Sequence, residues 1–226
     1  MNLDRPSFLS GLSASLPIIM GYFPIAFSFG VAATRAGFTP LEAFALSLII
    51  YAGASQFLAL ALLSSGAPVL VSAFTLIAMN LRHVLYGPAL MRAAGREAGA
   101  RHAWAWGLTD EVFGQALGAL ARGQRFSEPY MFGLGLGAYA AWVSGTVAGA
   151  FAGGGALDQW PALSAGLGFM LPALFLALLL SILNRRQLPV IAVAAVATVA
   201  GTMAISATSG ILLGMLAGAL AGLVRR

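Results

Sequence analysis

Residues 68 to 91 read PVLVSAFTLIAMNLRHVLYGPALM. An apolar run of this length crosses a bilayer as a helix, because about 20 residues rising ~1.5 Å each span the hydrocarbon core. Asn80, Arg82 and His83 sit in its middle, where an unpaired arginine costs about 2.5–3.5 kcal/mol on insertion scales. The stretch therefore decides two things. The chain is built for lipid, and something inside the bundle must answer a positive charge.

Composition sets the solvent. Of the 226 residues, 60% are apolar and 8% are charged, and the mean hydropathy is +0.90. A water-soluble domain carries about 25% charged residues, so this chain cannot cover itself for water. It reads as an all-α polytopic membrane protein with room for about six to eight crossings, forming one transmembrane domain over 1–226. Cysteine is absent, which excludes disulfides, thiolate metal sites and thiol catalysis. Two histidines do not make a metal site by themselves, and no cofactor is expected. All 12 basic residues are arginines. The pI near 10.4 does not point to nucleic acid, because no basic cluster lies on a soluble domain; arginines flanking spans act as topology signals. The first apolar run holds Pro17 and Pro24 after a single arginine, so a cleaved signal peptide is not expected.

Apolar segments run over 11–33, 42–64, 68–91, 103–121, 130–151, 162–183, 188–204 and 207–224. Pro40, Pro68, Pro129, Pro161 and Pro189 stand at segment starts, where a missing N–H costs nothing. Thr39-Pro-Leu-Glu42 fits a capping box. If all eight segments cross with the N-terminus inside, Arg5, Arg122, Arg125, Arg185, Arg186, Arg225 and Arg226 fall on the cytoplasmic side. Arg35, Arg92, Arg96 and Arg101 then fall on the other. If 11–33 and 103–121 instead enter and leave on one side, all 11 loop arginines lie inside, as the positive-inside bias prefers. Pro17, Gly21 and Pro24 in the first of these segments predict a broken backbone ladder. Thr109, Asp110 and Glu111 in the centre of the second are tolerated at depth only inside protein or beside a watery cavity. The expectation is about six full transmembrane helices plus two broken or re-entrant segments, although two kinked full spans also fit the prolines.

A weak internal repeat runs through the chain. Phe29-Gly30, Arg35, Gly37 and Phe38-Thr39-Pro40 parallel Phe113-Gly114, Arg122, Gly123 and Phe126-Ser127-Glu128-Pro129. This outlines halves at 11–92 and 103–186, followed by a hairpin over 188–224; transporters built from such repeats bind substrate between them. Gly210, Gly214, Gly218 and Gly222 recur every four residues, as do Gly145, Gly149 and Gly153. Such stripes let helix backbones approach closely in lipid, within the chain or against another subunit.

Four polar clusters lie at membrane depth. The first is PIIMGYFPIAFSFG (17–30), whose predicted break frees N–H groups suited to a carboxylate and carbonyls suited to an ammonium or sodium ion. The second is YAGASQF (51–57), where Ser55 and Gln56 either orient a small polar ligand or bridge helices. In the third, Asn80, His83 and Gly87 share one helix face while Arg82 and Tyr86 share another. The fourth is LTDEVF (108–113), in which Asp110 and Glu111 point about 100° apart if helical. One acid neutralises Arg82 and the other faces a cavity. Arg82 is read as structural or anion-pairing. His83 is read as the moving part, since an ordinary imidazole titrates near pH ~6.5; a static buried network of all four groups is the competing reading. No HExxH, G-x-S-x-G or P-loop pattern is present, so neither an enzyme nor an ATP-driven pump is indicated.

These four clusters in this order resemble the AzlC family, the large subunits of branched-chain amino acid exporters, over nearly the whole chain. The resemblance implies a secondary, non-ATP carrier in the bacterial inner membrane that exports valine, leucine, isoleucine and sometimes methionine. It also implies a small hydrophobic partner of the AzlD type. Combined with the residues, it places a zwitterionic amino acid between the first segment and the spans carrying Ser55-Gln56 and Asn80-His83. Backbone N–H groups near Gly21 and Tyr22, beside Pro24, would hold the carboxylate; Phe23, Phe27 and Phe57 would contact the aliphatic side chain. Asp110 or Glu111 would meet the ammonium or exchange protons with His83, giving proton coupling. A passive channel, or an uptake carrier for another small solute, is the alternative.

Overall fold

The computed structural model describes residues 6–95, 103–155, 157, 159–163, 165–167, 169, 173, 176, 180, 183, 185 and 187–224. Arg5, Arg96, Arg101, Arg186, Arg225, Arg226 and much of the expected span 162–183 lie outside them. The described residues form helices and connecting turns, with no strand among them. In chain order the helices are α1 (Phe8–Ala14), α2 (Leu16–Arg35), α3 (Pro40–Ile50), α4 (Gly53–Ser64), α5 (Val69–Ala94), a 3-10 turn (Ala103–Gly107), α6 (Asp110–Ala121), α7 (Glu128–Gly153), α8 (Leu188–Ala204) and α9 (Ala207–Val224). Helices α2, α5 and α7 are long and apolar enough to cross a membrane, and shorter apolar helices accompany them. The chain is a polytopic, all-helical membrane protein.

Local chemistry explains the helix starts. Thr39 Oγ1 accepts from the Glu42 backbone N–H at 3.2 Å, and Glu42 Oε2 accepts from the Thr39 N–H at 2.7 Å. This is the reciprocal capping box that the sequence predicts, followed by Pro40 in the first turn. Thr109 and Ser127 cap α6 and α7 from one side only, each from an extended backbone.

Two compact units divide the chain. The first comprises Met1–Ala61 and Leu76–Met170, the second Leu62–Thr75 and Leu171–Arg226. In the first, α7 is the central post, and α1, α2 and α3 pack along it. The glycine stripe explains the closeness. A Cβ added at Gly145 would sit 2.6 Å from the Phe23 carbonyl oxygen, and one at Gly149 would run into the Phe27 carbonyl. A larger residue at either place forces α2 off α7. Phe29, Ala33, Ala43, Leu60 and Ala150 fill the core beside this contact. In the second unit α8 and α9 pair through small residues: Gly210 meets the Thr198 carbonyl, Gly214 meets Thr198 and Ala194, and Gly218 meets Ala194, whereas Gly222 faces open space.

The structure moves two breaks. Segment 11–33 is interrupted at Ser15, not between Pro17 and Pro24, and α2 then runs unbroken through Gly21, Tyr22 and Pro24. Pro24 removes one rung of the ladder, but close packing against α7 along the rest of the helix holds it together. The N–H groups of Gly21 and Tyr22 therefore belong to the helix interior and form no open anion site. Segment 42–64, expected to be continuous, stops at Ile50 and restarts at Gly53. Segment 103–121 is broken as predicted, with Leu108 and Thr109 non-helical between the 3-10 turn and α6.

Candidate functional site

The break between α3 and α4 is a built feature. Tyr51 ends α3 with φ 39° and ψ 46°, and is the one non-glycine residue with positive φ among those described. That left-handed conformation costs an L-residue about 1–2 kcal/mol. It persists because the two half-helices are stapled across it. Gln56, fully buried, donates from Nε2 to Ser47 Oγ at 2.7 Å and accepts from Trp142 Nε1 at 2.8 Å. Ser47 Oγ in turn lies 2.7 Å from Thr146 Oγ1. The chain of four ties α3, α4 and α7 together. Gly53 leaves room for the Trp142 ring, which an added Cβ would meet at 2.5 Å.

A layer of ionisable groups lies beside this break. Thr109 caps α6, so Asp110 and Glu111 fall in its first turn, where the positive end of the helix dipole favours carboxylates. Arg82 Nη2 pairs with Asp110 Oδ2 at 2.9 Å, with side-chain exposures of 45% and 37%. The Tyr86 hydroxyl donates to the other Asp110 oxygen. The Tyr22 hydroxyl touches both Glu111 Oε2 and, at 2.6 Å, Thr109 Oγ1. It has one proton, and a carboxylate only accepts; Tyr22 therefore donates to Glu111 and the Thr109 hydroxyl donates to Tyr22. The Tyr22 ring packs edge-on against Trp142 at 5.3 Å, which joins the acidic layer to the staple.

His83 Nδ1 lies 3.1 Å from the Asn80 carbonyl oxygen. In the neutral ring that contact puts the proton on Nδ1 and leaves Nε2 as the basic nitrogen. Asn80 Oδ1 accepts from the buried Ser55 hydroxyl at 2.8 Å. Tyr86 stacks on Phe113 at 4.7 Å and meets His83 edge-on at 5.2 Å.

A cavity of about 510 Å³ opens where the end of α3, the middle of α5, the 105–108 segment and α7 converge. Leu48, Ile49, Ile50, Trp106 and Leu108 give it an apolar side, while Tyr51, Asn80, His83 and Tyr139 supply polar groups. Tyr51 packs edge-on against Tyr139 at 4.8 Å, and Tyr139 against Trp106 at 5.2 Å. Tyr139 donates to the Leu48 carbonyl at 2.9 Å. The Tyr51 hydroxyl, on a residue 9% exposed, is the one buried side-chain polar atom among the described residues with no hydrogen-bond partner. An unmet buried hydroxyl costs about 1–3 kcal/mol.

The residues singled out from sequence separate into two groups. Asn80 and His83 line the cavity, and Ser55 supports Asn80. Asp110 takes Arg82, leaving Glu111 to Tyr22, whose hydroxyl also meets Thr109. The two predicted faces of α5 are both present: Asn80 and His83 toward the cavity, Arg82 and Tyr86 toward Asp110. Other residues lie elsewhere. Gln56 spends both ends of its amide on the staple. Phe57 packs edge-on against Phe29 at 5.3 Å in the core. Phe27 abuts α7 at Gly149, Phe23 is 41% exposed, and Gly21 and Pro24 sit within α2. None of these lines the cavity. Sequence reading gave no role to Tyr51, Tyr86 or Tyr139, or to the Tyr22 hydroxyl. Their signal was available, because a tyrosine in an apolar span needs a partner for its hydroxyl, and four of the five tyrosines of the chain gather here.

These site residues fall within residues 17–155, which match a family model described as AzlC protein. The chain is 46% identical over 222 residues to the inner membrane protein YgaZ of Escherichia coli (strain K12), covering 97% of this chain and 91% of that one. It is 41% identical over 215 residues to a protein of Archaeoglobus fulgidus described as an uncharacterized membrane protein, covering 95% of this chain and 92% of the other. A Helicobacter pylori (strain 26695) protein with the same description is 26% identical over 180 residues, covering 79% and 77%. No solved structure matches the chain.

Proposed function

The chain belongs to the AzlC family, and on that footing we propose that it is a secondary transporter exporting branched-chain amino acids across the bacterial inner membrane. Valine, leucine and isoleucine, and also methionine, are the expected substrates. In this reading the chain is the large subunit of a proton-coupled exporter completed by a small AzlD-type membrane protein. The observation that carries the reading is the cavity at the α3–α4 break. Its volume of about 510 Å³ lies in the range of small-molecule sites, about 300–1,000 Å³. It combines aliphatic side chains with a few polar groups, the two kinds of contact a branched aliphatic amino acid requires.

The roles follow from the contacts. The aliphatic side chain of the solute lies against Leu48, Ile49, Ile50 and Trp106, with its charged head toward Tyr51, Asn80 and His83. Asp110 is committed to its ion pair with Arg82. Glu111 meets the neutral Tyr22 hydroxyl and no paired cation among the described residues, and is the carboxylate assigned here to proton exchange. His83, with Nε2 basic, is the second exchanging group. A helix already interrupted at Tyr51 changes shape there without breaking intact ladder bonds.

Efflux of labelled valine and leucine from cells expressing this chain with its small partner tests the proposal. Export should exceed that of cells lacking the chain, run uphill, and collapse with a protonophore. Efflux equal to that of the empty cells overturns the reading, and downhill flux indifferent to the protonophore makes the protein a channel.

A further inference from the structure

We propose that Tyr51 is a substrate-recognition residue whose hydroxyl oxygen accepts a hydrogen bond from the ammonium group of the carried solute. This inference rests on the transport reading of the cavity that Tyr51 lines.

Around the cavity, polar atoms of three other side chains have protein partners. Asn80 Oδ1 is taken by Ser55, His83 Nδ1 by the Asn80 carbonyl, and the Tyr139 hydroxyl by Leu48. Tyr51 is held in place from both sides, by the Gln56 staple across its own helix break and by the Tyr139 ring at 4.8 Å. Its hydroxyl is nonetheless buried without a partner. A strained backbone and an unmet hydroxyl on one residue, beside a cavity of about 510 Å³, are the arrangement a ligand completes.

The surroundings select a cation. Leu48, Ile49 and Ile50 bring the C-terminal, negative end of α3 to the cavity, which favours positive charge. The Glu111 carboxylate interacts electrostatically with Tyr51. Both repel a carboxylate at this spot and attract an ammonium, for which a phenol oxygen is a suitable acceptor. The class of solute read here is an aliphatic primary amine. Its carboxylate, where present, is met elsewhere in the cavity.

Binding of labelled leucine to the full-length chain in lipid vesicles, wild type against Tyr51→Phe, tests this. Isoamylamine, which lacks the carboxylate, and isocaproate, which lacks the ammonium, serve as competitors. The lost hydroxyl has no partner in the protein, so Tyr51→Phe should melt at or above the wild-type temperature. It should nevertheless bind leucine about tenfold more weakly, the loss expected for a hydrogen bond to a charged group. Isoamylamine should compete in the wild type and lose that ability in the variant, with isocaproate unchanged. Leucine affinity within about twofold of wild type, a loss of isocaproate rather than isoamylamine competition, or a markedly lower melting temperature overturns the inference. A wild-type chain that binds neither leucine nor isoamylamine overturns the transport reading itself, a result distinct from wild-type binding that Tyr51→Phe leaves untouched.

Discussion

Arg82 and its two acidic neighbours show how one sequence problem is solved one residue at a time. An arginine at mid-span needs a counter-charge, and α6 presents two adjacent carboxylates; Asp110 takes the guanidinium, while Tyr22, itself supported by Thr109, holds Glu111. Removing one member of the pair should cost more than removing both. We expect Asp110→Asn to lose about 2 kcal/mol in a thermal or denaturant melt, below the roughly 3–5 kcal/mol of a fully buried pair, because both side chains are more than a third exposed. Arg82→Gln combined with Asp110→Asn should recover much of that stability; a strictly additive double variant would show that the pair does not interact. Glu111→Gln should behave differently. Its carboxylate accepts from the Tyr22 hydroxyl, a bond an amide oxygen also accepts, so the protein should fold normally and lose uphill transport by at least about tenfold. Transport by Glu111→Gln that equals wild type and keeps its protonophore sensitivity would remove Glu111 from the coupling.

Among the elements, the interrupted pair α3 and α4 carries the most consequence. At 11 and 12 residues each covers about half of a hydrocarbon core of ~30 Å. Their junction holds its geometry through the buried Trp142–Gln56–Ser47–Thr146 chain. Gln56→Leu should orphan the Trp142 N–H while Ser47 keeps Thr146, and should cost about 1–3 kcal/mol by thermal melting; a variant that melts like wild type would show that the staple does not hold the break. The glycines of α7 act at the same scale. Gly149→Leu would push the Phe27 backbone away and should lower folded yield in the membrane several-fold by detergent-resistant size-exclusion, whereas Gly222→Leu, facing open space, should leave yield unchanged. The stripe at Gly145, Gly149 and Gly153 was legible from its period alone, as were the capping box and the broken segment at 103–121. The break at Tyr51 was not. Nothing in YAGASQF forbids a continuous helix, and the left-handed turn is imposed by side chains from α7 that arrive from 86 and 99 residues away.

Across the whole molecule, topology is where charge and length pull apart. The arginine count is best satisfied if segment 11–33 turns back, yet α2 is 20 residues long and apolar enough to cross. The chain has no cysteine, so single cysteines at the exposed Ala36 and Ala93, probed with a membrane-impermeant maleimide, settle the matter. Positive-inside bias expects both to label from the cytoplasmic face; labelling of Ala36→Cys from outside would make the first segment a full crossing. The amino-acid sequence by itself determined that this chain lives in lipid, that it is helical, that it belongs with the AzlC proteins, and that Asn80, Arg82, His83, Asp110 and Glu111 are polar groups set in apolar segments. Hydropathy, period and an uncompensated charge are local properties, and they survive being read one residue at a time. Only the tertiary structure decided which acid meets Arg82, where the backbone breaks, and that Tyr51 stands unpartnered at the cavity while Gln56 and Phe57 are committed to the interior. Those outcomes depend on which distant side chain reaches a hydrogen-bonding group first, and residues far apart in sequence compete for that place only once the helices have packed.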